Sequence, residues 1–195
     1  MIKTIIFDYG GVLSINGSLY EFTQEMCKKN DLDFEKSHEF LVSLWRIEST
    51  SRNKKIFFKG LSKIFNTTEE ELKKELFDFF NFDNELYNYI KNNLKGRYKL
   101  VILSNNIRDW FENENKKFKL DETFDIILTS YELELRKPNK EIYEKTIEIL
   151  NDKYEECIFI DDKIRNIKPA KELGIHCINY IDFNSFKVDL ENLLN

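Results

Sequence analysis

Five short runs of apolar residues predict the strands of a buried parallel sheet. These runs do not alternate between apolar and polar positions, which is typical of strands covered on both faces. They cover residues 4–7, 100–103, 124–128, 157–160 and 176–179. Stretches with helical periodicity follow the later runs and predict helices over residues 109–118, 140–150, 166–173 and 183–194. Alternating strands and helices favour an α/β fold with a parallel sheet.

A long segment between the first two runs interrupts this alternation. From about Ser14 to Lys95 only helical patterns occur, and two helices open with capping-box patterns at residues 18–21 and 68–71. A structureless loop of this length is implausible in a compact domain. We therefore predict an α/β core domain of residues 1–13 and 96–195, and an inserted helical bundle of residues 14–95 that packs over the sheet.

Composition excludes several classes of protein. The chain has 195 residues, of which 42% are hydrophobic, which excludes a disordered chain. A net charge of −5 indicates neither a nucleic-acid nor an anionic membrane partner. The three cysteines are far apart, as expected for reduced thiols, and the first residues do not resemble a signal peptide. We expect a cytoplasmic protein without a membrane partner, as a monomer or a homodimer.

Polar side chains follow the predicted strands. Asp8 follows the first strand, Ser104 the second, Lys137 the third after a loop, and Asp161 with Asp162 the fourth. Ligands of open parallel sheets bind beyond these carboxyl ends. Three carboxylates at one rim need a cation, and oxygen ligands favour Mg²⁺, often shared with a phosphate. A lysine and a hydroxyl suit a phosphate, and a carboxylate can act as a nucleophile.

Four motifs in this order resemble the haloacid dehalogenase-like (HAD) hydrolase superfamily. They are residues 7–12, 103–106, 137–143 and 159–162, the last followed by Asn166 and Ala170. The resemblance implies a Rossmann-like three-layer sandwich with a five-stranded parallel sheet, and a helical cap of the C1 type. It also implies a Mg²⁺-dependent phosphatase that hydrolyses a small phosphorylated metabolite, such as a sugar phosphate, through an aspartyl-phosphate. Within the superfamily the chain most resembles the alpha-glucose-1-phosphatase-like branch.

The resemblance also implies roles for individual residues. Asp8 is expected to be the nucleophile. The expected metal-binding residues are Asp8, the carbonyl of Gly10, Asp161 and Asp162, the last through a metal-bound water or by steadying Lys137. Ser104 and the Asn105 amide are expected to bind the phosphoryl oxygens, and Lys137 to offset the charge on Asp8 and the phosphate. The expected catalytic residues are thus Asp8, Ser104 and Lys137, and the substrate-binding residues are Ser104, Asn105 and Lys137.

Gly10 departs from the family pattern. Most phosphatases of the family have a second Asp there, which protonates the leaving group, and loss of such an acid costs about 10²–10⁴ in rate. Three explanations stay open: a substrate with a good leaving group, a cap residue or water in place of the acid, or lost activity. The last would leave a non-catalytic or regulatory protein. A metal-independent dehalogenase is a further alternative, but it would have no use for both Asp161 and Asp162.

Other polar or aromatic residues carry no clear motif. We interpret Arg136 as a surface charge and His38 as structural. In the insertion, Trp45 is expected to pack in the bundle and Arg46 to be solvated, although both could face a substrate.

Overall fold

The computed structural model describes residues 1–15 and 17–194. Seven strands and ten α-helices follow one another along these residues. Their order is β1 (Thr4–Phe7), β2 (Ser14–Ile15), α1 (Leu19–Asn30), α2 (Phe34–Glu48), α3 (Phe57–Ile64), α4 (Glu69–Phe79), β3 (Asn81–Phe82), α5 (Asn84–Tyr89), β4 (Lys99–Ser104), α6 (Arg108–Phe118), β5 (Ile126–Thr129), α7 (Ser130–Leu133), α8 (Lys140–Leu150), β6 (Cys157–Asp161), α9 (Ile164–Glu172), β7 (His176–Asn179) and α10 (Phe183–Leu194). A π-helical turn, Ile90–Leu94, extends α5.

Five strands form a parallel sheet in the order β5-β4-β1-β6-β7. This confirms the predicted α/β fold. The third predicted strand begins at Ile126 instead of residue 124. The reason is local, because the N–H groups of Thr123 and Phe124 both donate to the carbonyl of Leu120 and close a turn there. All four strand neighbours are parallel, so their carboxyl ends meet at one edge.

Helices cover both faces of the sheet and make three layers. Successive residues of a strand point to opposite faces. Ile5 and Phe7 therefore pack in one core, which includes Phe186 and Leu190 of α10. Ile6 packs in the other core with Ile142 of α8. The architecture is a Rossmann-like three-layer sandwich.

The helices α1–α4 form a bundle with a hydrophobic core of its own. Phe22, Leu41, Leu61 and Leu72, one from each helix, are buried together. Thr68 caps α4 with the predicted capping box, and Ser18 accepts a hydrogen bond from the N–H of Glu21 at the start of α1. Trp110 of α6 also belongs to this core, so the bundle packs against the sheet domain.

The prediction that residues 14–95 form only helices was wrong at two places. Ser14 and Ile15 pair in antiparallel orientation with Phe82 and Asn81, which makes a short ribbon at the two ends of the bundle. The last part of the predicted insertion packs elsewhere, because Leu86, Ile90 and Leu94 join the core beside the sheet. This packing favours an inserted unit that ends near Phe82 instead of Lys95.

Residues 1–15 and 17–194 contain no helix with the length and apolar character needed to cross a membrane.

Candidate active site

A buried lysine joins two carboxylates at the carboxyl ends of β1 and β6. Lys137 Nζ lies 2.8 Å from Asp8 Oδ1 and 2.8 Å from Asp161 Oδ2. Lys137 is 1% exposed, Asp8 5% and Asp161 0%. Ionised groups are rarely buried unless they are paired, so these three side chains form one electrostatic unit.

Asn105, directly after β4, holds the backbone of Lys137 in place. Its Nδ2 donates to the Lys137 carbonyl at 2.8 Å, and its Oδ1 accepts from the Lys137 N–H at 2.9 Å. Both polar atoms of the side chain are thus used within the protein. For the predicted amide contact with phosphate, the second Nδ2 hydrogen and the backbone N–H of Asn105 remain available. Sequence reasoning missed this positioning role, for which the Ser-Asn pattern carries no signal.

The start of α9 orients Asp161. The Lys163 N–H donates to Asp161 Oδ1 at 2.8 Å, and Asn166 Nδ2 lies 3.0 Å from both carboxylate oxygens. Asn166 is itself buried, and its carbonyl accepts a hydrogen bond from the Tyr143 hydroxyl at 2.7 Å. The amide of Asn166 needs only one of the two oxygens, so Asp161 keeps a position for another partner.

The pKa values of the two carboxylates shift in opposite directions. Burial raises the pKa of Asp8 to about 7; the Lys137 ammonium lowers it and the Asp161 charge raises it. Burial also raises the pKa of Asp161, but Lys137 and hydrogen bonds outweigh that effect, and its net pKa is below the usual value. In the absence of a metal, the negative charge therefore resides mainly on Asp161.

The site's carboxylates fit a divalent cation. Asp8, Asp161 and Asp162 each offer an oxygen atom, and these atoms lie within 4.8 Å of one another. Asp162 pairs with Lys163 at 3.0 Å, so when all three carboxylates are ionised they face two ammonium groups and one negative charge is left over. Oxygen ligands of this kind suit Mg²⁺. Asp8, Asp161 and Asp162 could hold such an ion, and Gly10 lies in the adjoining loop.

The two glycines after Asp8 have different structural requirements. Gly11 has a φ of +84°, and a Cβ there would lie 2.4 Å from the carboxyl group of Asp162. Gly11 therefore gives the Asp162 carboxylate room beside the loop. A Cβ on Gly10 would meet nothing within 4 Å. Steric crowding therefore does not require a glycine at position 10.

A cavity of about 420 Å³ lies between the sheet edge and the bundle. From the sheet side it is lined by Asp8, Ser104, Lys137, Asp162 and others, and from the bundle by Tyr20, His38, Trp45 and Arg46. The Ser104 hydroxyl makes no hydrogen bond to any described residue. Asp8, Ser104 and Lys137, the predicted catalytic residues, thus line one cavity that residues of the bundle cover.

One expectation about the surrounding residues needs correction. Arg136 is not a surface charge, because it is half-buried, lines the cavity and stacks 5.3 Å from the Trp45 ring. His38 also lines the cavity, with Nδ1 3.2 Å from the Thr23 hydroxyl. Tyr9 does not replace the missing acid, because its hydroxyl donates to Glu114 at 2.5 Å.

Known proteins show the same architecture over nearly the whole chain. A family model described as haloacid dehalogenase-like hydrolase matches residues 5–180. A HAD-like family hydrolase of Porphyromonas gingivalis superimposes with a TM-score of 0.82 at 25% identity, over 100% of this chain and 98% of the other. A HAD family enzyme of Bacteroides thetaiotaomicron, solved with magnesium and inorganic phosphate, gives 0.80 at 22% identity, over 95% and 99%. At 22% identity, the similarity to the Bacteroides enzyme shows a shared fold.

Two curated proteins are similar in sequence. The D-ribitol-5-phosphate phosphatase of Bacteroides thetaiotaomicron is 28% identical over 209 aligned positions, which cover 100% of both chains. The pyrophosphatase PpaX of Halalkalibacterium halodurans is 34% identical over 90 residues, which cover 46% of this chain and 42% of PpaX. Both names describe the release of phosphate from small molecules.

Proposed function

This chain belongs to the haloacid dehalogenase-like hydrolase family, and we propose that it hydrolyses a small phosphorylated metabolite with Mg²⁺ through an aspartyl-phosphate on Asp8. Because it also has phosphatases among its relatives, it is a phosphoric monoester hydrolase. The observation that carries the proposal is the buried unit of Asp8, Lys137 and Asp161 at the floor of the cavity.

The first chemical step makes and breaks one bond to phosphorus. A carboxylate oxygen of Asp8 attacks, the new O–P bond forms the aspartyl-phosphate, and the bond to the leaving oxygen breaks. Water then attacks the phosphorus, which releases inorganic phosphate and restores Asp8. The leaving oxygen receives no proton from position 10, because that residue is Gly10. The proposed substrate therefore has a good leaving group, or water or a cap residue protonates it.

The other residues supply electrostatic stabilisation. Lys137 places a positive charge 2.8 Å from the nucleophile, so it offsets the charge that develops there. The Ser104 hydroxyl and the Asn105 backbone N–H are the proposed donors to the phosphoryl oxygens. When bound to Asp8, Gly10, Asp161 and Asp162, Mg²⁺ would neutralise phosphate charge and favour the ionised form of Asp8.

The magnesium and phosphate of the Bacteroides neighbour and the substrate of the ribitol-phosphate relative support this proposal. The negative excess of the three carboxylates argues against a dehalogenase that works without a metal, because such a site would have no use for that charge.

An Asp8→Asn substitution tests the proposal. Phosphate release from an activated aryl phosphate and from sugar phosphates is measured with Mg²⁺ and with EDTA. We expect release that depends on Mg²⁺ and falls by at least about 10³-fold in Asp8→Asn. Asp189→Asn, an exposed site on α10, makes the same chemical change away from the cavity and serves as the control. Activity above a tenth of wild type in Asp8→Asn, or equal rates in EDTA, would contradict the proposal.

A further inference from the structure

The cavity has an excess of positive charge although the chain as a whole is acidic. Among the described residues that line it, the cations are Arg46, Arg136, Lys137, Lys163 and Arg165, and the carboxylates are Asp8 and Asp162. The net charge of the protein is −5, so this excess is local. Lys137 and Lys163 are paired with the site's carboxylates. The three arginines account for the surplus.

The three arginines have no acidic partner in residues 1–15 and 17–194, within the distance of an ion pair. Arg46 comes from the end of α2, Arg136 from the loop before α8, and Arg165 from the first turn of α9. Arg46, Arg136 and Arg165 line the same cavity. Burial lowers the pKa of Arg136, and so do the charges of Arg46 and Arg165. The Trp45 ring compensates only partly for this repulsion.

A half-buried guanidinium beside two like charges is unfavourable unless an anion binds there. The reactive phosphate needs at most one of these arginines for charge balance. Three carboxylates, two lysines, a divalent cation and a phosphate dianion leave one negative charge, against three positive charges on the arginines. The arginines flank this centre, because Arg136 precedes Lys137 and Arg165 precedes Asn166.

We propose that the substrate carries a second anionic group, a phosphate or a carboxylate, which binds to Arg46, Arg136 and Arg165 while the reactive phosphate lies at Asp8. This inference rests on the proposed phosphatase function and narrows its substrate class. Guanidinium groups suit the role, because they bind the planar carboxylate or the phosphate in bidentate fashion and stay charged. Arg46 belongs to the bundle and the other two to the sheet domain, so the second anion bridges the two parts of the protein.

Matched substrate pairs test the inference. Each pair has a similar reactive phosphate and differs in the second anion: glucose 6-phosphate against 6-phosphogluconate, and fructose 6-phosphate against fructose 1,6-bisphosphate. One charge-assisted hydrogen bond contributes about tenfold in binding, so we expect kcat/KM to favour the second member of at least one pair by about tenfold. The first pair adds a carboxylate and the second pair adds a phosphate, so a comparison of the two pairs shows which anion is preferred.

Substitutions then assign the preference to the arginines. In Arg136→Gln and in Arg165→Gln, the ratio of kcat/KM within the preferred pair is expected to fall towards one. Arg97→Gln removes the same charge at an exposed position outside the cavity, and the ratio is expected to stay as in wild type. Equal loss for both members of a pair would mean that the arginines bind the reactive phosphate, and would overturn the inference.

The same panel separates failure of the inference from failure of the proposed function. Hydrolysis of the aryl phosphate with no preference in either pair would leave the phosphatase standing and overturn the inference. If no compound releases phosphate, calorimetric titration of the Asp8→Asn protein with both pairs in Mg²⁺ decides the matter. Tighter binding of a second member that Arg136→Gln abolishes would support an anion subsite, and equal binding would refute it.

Discussion

Replacing Lys137 with methionine tests whether one buried ammonium holds the site together. The side chain lies 2.8 Å from both Asp8 and Asp161, and all three residues are buried. Methionine keeps much of the volume and the flexibility of the lysine stem but removes the charge. The variant would leave two buried carboxylates facing each other without their shared cation.

The expected loss of stability is large. Removal of one partner from a buried ion pair costs about 3–5 kcal/mol, because the remaining charge stays buried without compensation. For a chain of this size, 1 kcal/mol changes Tm by about 2–4 °C, so the variant should melt about 6–20 °C lower than wild type. Lys140→Met is the matched control. Lys140 is exposed and pairs with Glu144 at 3.4 Å, so its loss should change Tm by no more than about 2 °C.

The size of the loss should depend on pH. The folded-state pKa of Asp8 is about 7, above the ordinary value of about 3.9, so the folded protein holds a proton there that the unfolded chain has released. Ionisation of Asp8 therefore lowers stability as the pH rises towards 7. Without Lys137 the pKa of Asp8 rises further, and the variant loses additional stability above pH 7.

Thermal melts in EDTA at about pH 5.5 and pH 8.5 measure this effect without a bound metal. The difference in Tm between wild type and Lys137→Met should be larger at the higher pH. A difference no larger than that of Lys140→Met, or one that grows as the pH falls, would refute the reasoning.

Three further substitutions test the surroundings of the site. Gly11→Ala should destabilise the protein by about 1–3 kcal/mol and weaken Mg²⁺ binding, because φ is +84° and the new Cβ would lie 2.4 Å from the Asp162 carboxyl group. Gly10→Ala, with open space at its Cβ, should shift thermal melting little; equal shifts in the two variants would contradict this account. Asn105→Ala removes two hydrogen bonds to the Lys137 backbone and should lower kcat for an aryl phosphate about tenfold, and an unchanged kcat would argue against a positioning role.

The sheet was predictable because its signal is local. A strand buried on both faces is a contiguous apolar run, and β1, β6 and β7 begin at the predicted residues. The parallel order also determines which strand ends meet, so it could be anticipated that Asp8 and Asp161 lie at one edge. Their roles in catalysis stay predictions.

The packing of residues 84–94 was not predictable, because it depends on contacts between distant residues. Helical periodicity shows that Leu86 and Ile90 lie on one helix face, but it does not show which core that face joins. The ribbon of β2 and β3 has two residues per strand, too few for a periodic pattern. Similarly, the position of Arg136 in a cationic cluster depends on α2 and α9, far away in sequence.

The glycine at position 10 is better explained by the charge of the site than by steric crowding. A side chain would fit there, so the absence of the usual acid is not explained by crowding. Three carboxylates already meet at this site, and burial holds the pKa of Asp8 at about 7. A fourth carboxylate would raise that pKa further and keep the nucleophile protonated over more of the neutral range. In the metal-free protein the glycine therefore avoids a further rise in the pKa of Asp8, and it also removes the usual source of a proton for the leaving group. The substrate then needs a leaving group that can depart without a proton from this loop.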